Sequence, residues 1–233
     1  MTRLARAPAV APRVAAPRRA PRIRASSHAS RASFGDADVL RWARRAWRER
    51  VRDDGDVVVD ATLGCGRDAL YLALECASPD VFIRGFDVAS EALEASTRAF
   101  EDARVAPRRF AFERRCHAEA LEAHEATGAR DVGVLMANLG YMPAPGLSAS
   151  ERARRTRTEA STSSRLVRAG SRTLRLGGVF TVVAYLGHDG GAEENDAVRR
   201  AFAELSPKEF TVVAHAVVNR RNAPVLYVCE RVR

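Results

Sequence analysis

The stretch Val58-Val59-Asp60-Ala61-Thr62-Leu63-Gly64-Cys65-Gly66-Arg67-Asp68 decides the fold. An apolar, β-branched run ends in an acid, a short loop carries two glycines, and a helical pattern begins at Arg67. Without a Cβ, Gly64 and Gly66 let the backbone come close to a ligand just ahead of a helix N-terminus. In a parallel α/β sheet such a loop lies at the C-terminal edge, where these folds bind their ligands.

Outward from this loop, strands and helices alternate. The periodicity predicts helices over 38–52, 67–76, 90–103, 118–127, 161–176 and 193–205. Ser90 is the expected N-cap of the third, and Gly177-Gly178 is the expected end of the fifth. Strands are predicted over 57–62, 81–88, 109–116, 132–138 and 179–186. Two more, 210–218 and 225–232, follow without a helix between them, and the turn Asn219 to Pro224 joins them as a hairpin. Five β-α units give a doubly wound, Rossmann-like parallel sheet with helices on both faces. The hairpin brings the sheet to seven strands and forces one of them to run antiparallel. No internal repeat is visible.

The net charge of +9 is unevenly spread. Eight of the 38 basic residues are arginines between Met1 and Ser33, a segment with no acid, leaving 30 basic against 29 acidic residues in 34–233. The body is therefore close to neutral, and its overall charge does not announce a nucleic-acid binder. Residues 1–33 are rich in Arg, Ala, Pro and Ser, the composition of a mitochondrial or chloroplast transit peptide, with a basic RNA-binding arm as the alternative. The expected organisation is a leader at 1–33 and one domain at 34–233. Cys65, Cys76, Cys116 and Cys229 form no C-x-x-C pair and have no histidine cluster, so no metal is expected. No apolar run approaches the ~20 residues needed to span a membrane.

The acids around the glycine loop narrow the ligand. G-x-G-x-x-A at Gly64, Gly66 and Ala69 also fits a dinucleotide loop, but Asp60 and Asp68 flank it. Two carboxylates would repel a pyrophosphate and attract the ammonium and sulfonium cations of S-adenosylmethionine (SAM). Asp87 closes the second strand, where an acid can accept both hydroxyls of a ribose. Cys116 and His117 end the third strand and are expected beside an adenine.

The fourth strand, Val134-Leu-Met-Ala-Asn138-Leu-Gly-Tyr141-Met-Pro143, carries an Asn to the sheet edge, followed by Gly and an aromatic. This is similar to the N-P-P-Y loops of amino-methyltransferases. The amide oxygen of Asn138 can accept a proton from an amine and aim its lone pair, and Tyr141 can stack on a base. Beyond it, Arg152, Arg154, Arg155 and Arg157 form a basic patch ahead of Thr158 and further hydroxyl residues, a pattern that suits phosphates.

Together these residues resemble the family called "putative rRNA methylase", class I SAM-dependent methyltransferases. The resemblance rests on Asp60-Ala-Thr-x-Gly-x-Gly-x-Asp68, Asp87, Cys116-His117, Asn138-Leu-Gly-Tyr-x-Pro143, Gly187-His188 and Asn219-x-x-Asn-x-Pro224, and covers residues 36–233. Characterised members methylate the aminomethyl group of a modified tRNA wobble uridine. The resemblance implies the class I methyltransferase fold, SAM as cofactor and the anticodon region of tRNA as partner. It implies cofactor contacts at Asp60, Gly64, Cys65, Gly66, Asp68, Asp87, Ala89, Cys116 and His117, catalytic roles for Asn138, Tyr141 and His188, and substrate contacts at Arg154, Arg155, Arg157 and Thr158. Cys65 and Ala89 depart from the residue types usual in the family, and so do Gly66-Arg67 and Leu186. An rRNA or a small amine is the alternative substrate, and a non-catalytic RNA-binding module with a SAM fold the alternative of another class. The expected location is a chloroplast or mitochondrion. The oligomeric state stays open, a homodimer included.

Overall fold

A computed structural model describes residues 36–52, 55–76, 80–140 and 157–233, all within the compact unit Ser33–Arg233. The leader at 1–33 and the expected roles of Tyr141, Arg154 and Arg155 lie outside the described residues.

The elements in chain order are α1 Asp36–Arg50, β1 Val57–Asp60, α2 Arg67–Tyr71, β2 Phe82–Asp87, α3 Ser90–Asp102, β3 Phe110–Arg114, α4 His117–Ala126 and β4 Val132–Leu139. Then come α5 Ala160–Thr173, β5 Leu174–Ala184, α6 Gly191–Ala203, β6 Phe210–Ala216 and β7 Val225–Arg231. The sheet order is β3-β2-β1-β4-β5-β7-β6. Strands β1 to β5 are parallel, while β7 runs antiparallel to both β5 and β6. This is the seven-stranded class I arrangement, with the late hairpin inserted beside β5.

Strand β4 explains the layering. All its residues but Asn138 are buried, and successive side chains point to opposite faces. Leu135 and Ala137 join Leu121, Leu166, Phe180, Phe202 and Tyr227 in one apolar layer. Val134 and Met136 join Trp47, Leu72, Ile83, Phe100 and Leu226 in the other. A strand buried on both faces reads as a continuous apolar run, which is how it is visible in the sequence. In α1, Trp47 is 1% exposed, and its ring N–H donates to Thr181 Oγ1 at 2.7 Å. Trp42 is 44% exposed and lies beside His215. Neither tryptophan lines the cleft described below.

Three expectations are corrected. The fifth helix stops at Thr173, and β5 begins at once with the buried Leu174 paired to Val132. Pairing resumes at Val134 with Val179, so residues 175–178 bulge out of the ladder. Gly177 takes φ +71° in that bulge, and a Cβ on Gly178 would lie 2.7 Å from the Val132 carbonyl. The two glycines serve the bulge, not a helix end. The bulge aims Arg175 at the buried Asp56, with Nη2 2.6 Å from its Oδ2. The N-cap of α3 is Ala89, with Ser90 inside the helix. Helix α2 is short, and Leu72–Cys76 continues it as a π turn.

Replacing Trp47 with Phe leaves the Thr181 hydroxyl buried without its donor and opens space in the core. The variant is expected to lose about 2–4 kcal/mol in urea denaturation, with part recovered in Trp47→Phe/Thr181→Val.

Candidate active site

The glycine loop closes the C-terminal end of β1. Gly64 and Gly66 take φ +52° and +70°, in the left-handed region. A Cβ on Gly66 would lie 2.8 Å from Ser96 Oγ, and that hydroxyl donates to the Gly64 carbonyl at 2.9 Å. Gly66 thus lets the loop close onto α3, and Gly64 lets it turn. Asp87, at the end of β2, accepts from Gly64 N at 2.9 Å and from Ala89 N at 3.0 Å, one bond to each carboxylate oxygen. Backbone amides therefore hold this carboxylate still, and each oxygen keeps a lone pair for a ligand.

Around this edge lies a cleft of about 800 Å³. Its walls bring together the expected Asp60, Gly64, Cys65, Asp68, Asp87, Ala89, Cys116, His117, Asn138, Arg157, Thr158 and His188. Gly66 does not line the cleft and faces Ser96. Asn222 and Pro224, from the turn between β6 and β7, also reach the cleft, so the hairpin contributes to the site as well as to the sheet.

The three acids differ in their surroundings. Asp60 is 2% exposed. Burial, reinforced by the charges of Asp68 and Asp87, pushes its carboxyl up to about 8, against the pull of the Thr62 backbone N–H. Asp68 is spoken for on both sides. Its Oδ1 accepts from Arg44 Nη2 at 2.9 Å, and its Oδ2 accepts from Asn138 Nδ2 at 3.0 Å. The equal expectation for Asp60 and Asp68 as charge partners of a ligand therefore separates. Among the described residues Asp60 has no cationic partner and Asp68 has Arg44.

Asn138 is held at two points. Its backbone N–H donates to Thr62 Oγ1 at 2.7 Å. One N–H of its side-chain amide donates to Asp68, and Oδ1 is the acceptor that the residue can offer the cleft it lines. Two residues on, Gly140 and Thr158 clasp each other: Gly140 N donates to Thr158 Oγ1 at 2.7 Å, and Thr158 N donates to Gly140 O at 2.9 Å. Thr158 thus fixes the Asn138 loop. It stands ahead of α5, whose N-cap is Glu159. The hydroxyls of Thr162 and Ser164 bond back to the carbonyls of Glu159 and Ser161. Arg157 donates to Asp189 Oδ2 at 3.2 Å. His188 packs against Gly140, its Nε2 3.3 Å from where a Cβ would stand.

His117 opens α4, with Cys116 as its N-cap. The ring is 8% exposed. Burial lowers its pKa to about 4, only partly offset by a hydrogen bond to the Thr162 backbone and by the Asp87 charge. It is neutral at physiological pH, and its buried Nε2 has no hydrogen-bond partner among the described residues. A buried acceptor or donor beside Phe86 and Asp87 suits a heteroaromatic base next to a ribose.

Arg44, Thr62 and Ser96 were not legible as site residues. Thr62 sits inside the quoted loop, but its partner is 76 positions away. Arg44 is one of several arginines on α1 with nothing in its spacing to mark it. Among the described residues no group of three or more His, Cys, Asp or Glu is placed to hold a metal, and no helix is long and apolar enough to cross a membrane.

Comparison with known proteins bears on the family and the fold. Residues 83–231 match the family described as "Putative rRNA methylase". A chloroplastic tRNA (mnm5s2U34)-methyltransferase of Arabidopsis thaliana is 28% identical over 199 residues, covering 83% of this chain and 69% of that protein. A crystal structure from Clostridium thermocellum, named a "putative rRNA-methylase", superposes with TM-score 0.71 at 27% identity, covering 83% of this chain and 97% of that one. The methyltransferase-like SMU.1697c of Streptococcus mutans, solved with S-adenosylhomocysteine (SAH), shares the fold at TM-score 0.66 and 23% identity, covering 82% and 97%.

The raised pKa of Asp60 makes stability depend on pH. Folded, this carboxyl keeps its proton up to pH about 8; unfolded, it loses it near pH 4. The unfolded state is therefore favoured progressively between those values, and the ligand-free protein loses stability from this group as pH rises through that window. Asp60→Asn should be increasingly the more stable of the two from pH 5 to pH 8 in urea denaturation. A difference that does not vary with pH would contradict this.

Proposed function

The chain belongs to the "Putative rRNA methylase" family and is a SAM-dependent methyltransferase of the class I fold, and on that premise we propose that it methylates the aminomethyl nitrogen of a modified wobble uridine in organellar tRNA. The observation that carries this reading is the Asn138 amide. It stands at the sheet edge with one N–H of its amide bonded to Asp68, which turns the NH2 end that way and makes its oxygen the acceptor it can offer the cleft it lines. The tRNA methyltransferase from Arabidopsis supports the substrate class, and the acid-free, Arg-rich leader supports an organelle.

The residues present fit SAM. Asp87 takes the ribose hydroxyls, Asp60 answers the cationic methionine end, and His117 with Phe86 and Cys116 receives the adenine. When bound, SAM supplies a methyl group on a sulfonium, which any correctly aimed lone pair can attack. Asn138 Oδ1 accepts an N–H of the substrate amine, so the lone pair points away from that bond and towards the methyl. With SAM bound, its methyl would pass to that nitrogen and leave S-adenosylhomocysteine, and the amine's proton would be taken by water or by His188, which lines the cleft beside the Gly140 turn. Arg157, with Arg154 and Arg155, meets the RNA backbone.

The direct test is methyl transfer from SAM to an anticodon stem-loop carrying 5-aminomethyluridine, read by nucleoside mass spectrometry. One added methyl on that nucleoside is expected. Methylation of rRNA alone, or none of either RNA, would overturn the assignment. Asn138→Ala should slow transfer by roughly 10²-fold or more with SAM affinity within a few-fold. Asp87→Ala should weaken SAM by about 1.5–3 kcal/mol.

A further inference from the structure

The two ends of an asparagine amide are nearly the same size and opposite in hydrogen bonding. Asn138 can thus offer the cleft either an acceptor or a pair of donors, and only its surroundings choose. Asp68 is an obligate acceptor when ionised, and its Oδ2 takes the Asn138 NH2 at 3.0 Å. Its other oxygen is held by Arg44 Nη2 at 2.9 Å. Arg44 is in turn fixed, with its guanidinium carbon 4.5 Å from the centre of the Tyr71 ring and the Tyr71 hydroxyl accepting from Arg48 at 2.6 Å. The Asn138 backbone is fixed independently by Thr62. A chain of contacts therefore runs from α1 through α2 to the end of β4.

We propose that Arg44 and Asp68 are positioning residues that set the polarity of the Asn138 amide, with Asp68 serving this task and not the charge of the cofactor. This rests on the reading of Asn138 as the acceptor for the substrate amine. Asp68→Asn provides the test. The new amide keeps its oxygen on Arg44 and turns its NH2 towards position 138. Asn138 must then turn its own oxygen to that donor and present its NH2 to the cleft, where an acceptor is needed. Asp68→Asn/Asn138→Asp restores the order: the new carboxylate takes the amide's NH2 with one oxygen and offers the other to the cleft.

The experiment measures methyl transfer from SAM to the aminomethyluridine stem-loop and SAH affinity by calorimetry, on the full chain. Asp68→Asn is expected to lower kcat about 10²-fold with SAH affinity within about 3-fold. The double variant is expected to regain at least about 10-fold over the single one, more so as pH rises, because a carboxylate at 138 favours the unreactive ammonium. Arg44→Met should lower kcat about 10-fold, again with SAH affinity retained. Wild-type kcat in Asp68→Asn, a double variant no faster than it, or an SAH affinity weakened tenfold or more in Asp68→Asn would each overturn the proposal. Asn138→Ala, assayed alongside, separates the two ideas. A wild-type rate there overturns the acceptor reading itself, whereas a slow Asn138→Ala beside a fast Asp68→Asn overturns only the positioning chain.

Discussion

Asp60 ends strand β1, an inner strand of the sheet, with its carboxyl buried and with two further acids, Asp68 and Asp87, lining the same cleft. Like charges in a shared, partly dry wall repel, so each must be answered separately. Asp87 is answered by the amides of Gly64 and Ala89, and Asp68 by Arg44 and Asn138. Asp60 is left to hold its proton. A ligand that brings a positive charge to this edge replaces that proton and gains from doing so. A pyrophosphate would gain nothing, which separates this loop from a dinucleotide loop with the same glycine spacing.

In the proposed reaction the same satisfaction of acids serves the chemistry. Asp68 turns an electrostatic problem into an orientation, because the NH2 it draws in fixes which end of Asn138 remains. Thr62 and Thr158 then hold the backbone on either side, at Asn138 and Gly140. A small misplacement of an aiming group costs rate far more readily than it costs cofactor affinity, so a site of this kind needs its side chains fixed from several elements. Here they come from α1, the β1 loop, the end of β4 and the segment leading into α5.

Much of the sheet was legible because its strands are apolar runs bounded by turn residues; β4 and the terminal hairpin are the clearest cases. What was not legible depends on pairing across the chain. Gly177-Gly178 after a helical pattern is an ordinary stop signal, and only the register of β5 against Val132 shows that it serves a bulge. Ser90 looked like a cap because hydroxyls often are, yet the chain turns one residue earlier. Gly64 and Gly66 in the loop after β1, and Asp87 and Asn138 at strand ends, could be singled out since each has a local reason to be there. Arg44 and Thr62 could not, because their partners lie 24 and 76 positions away.

A crystal structure with SAH tests the account most directly. It should show the ribose hydroxyls on Asp87, the amino group of the methionine portion at Asp60, and the sulfur on the Asn138 side of the cleft, with the Asn138 NH2 still on Asp68. SAH whose amino group lies on Asp68 in place of Asn138, or whose ribose avoids Asp87, would contradict it.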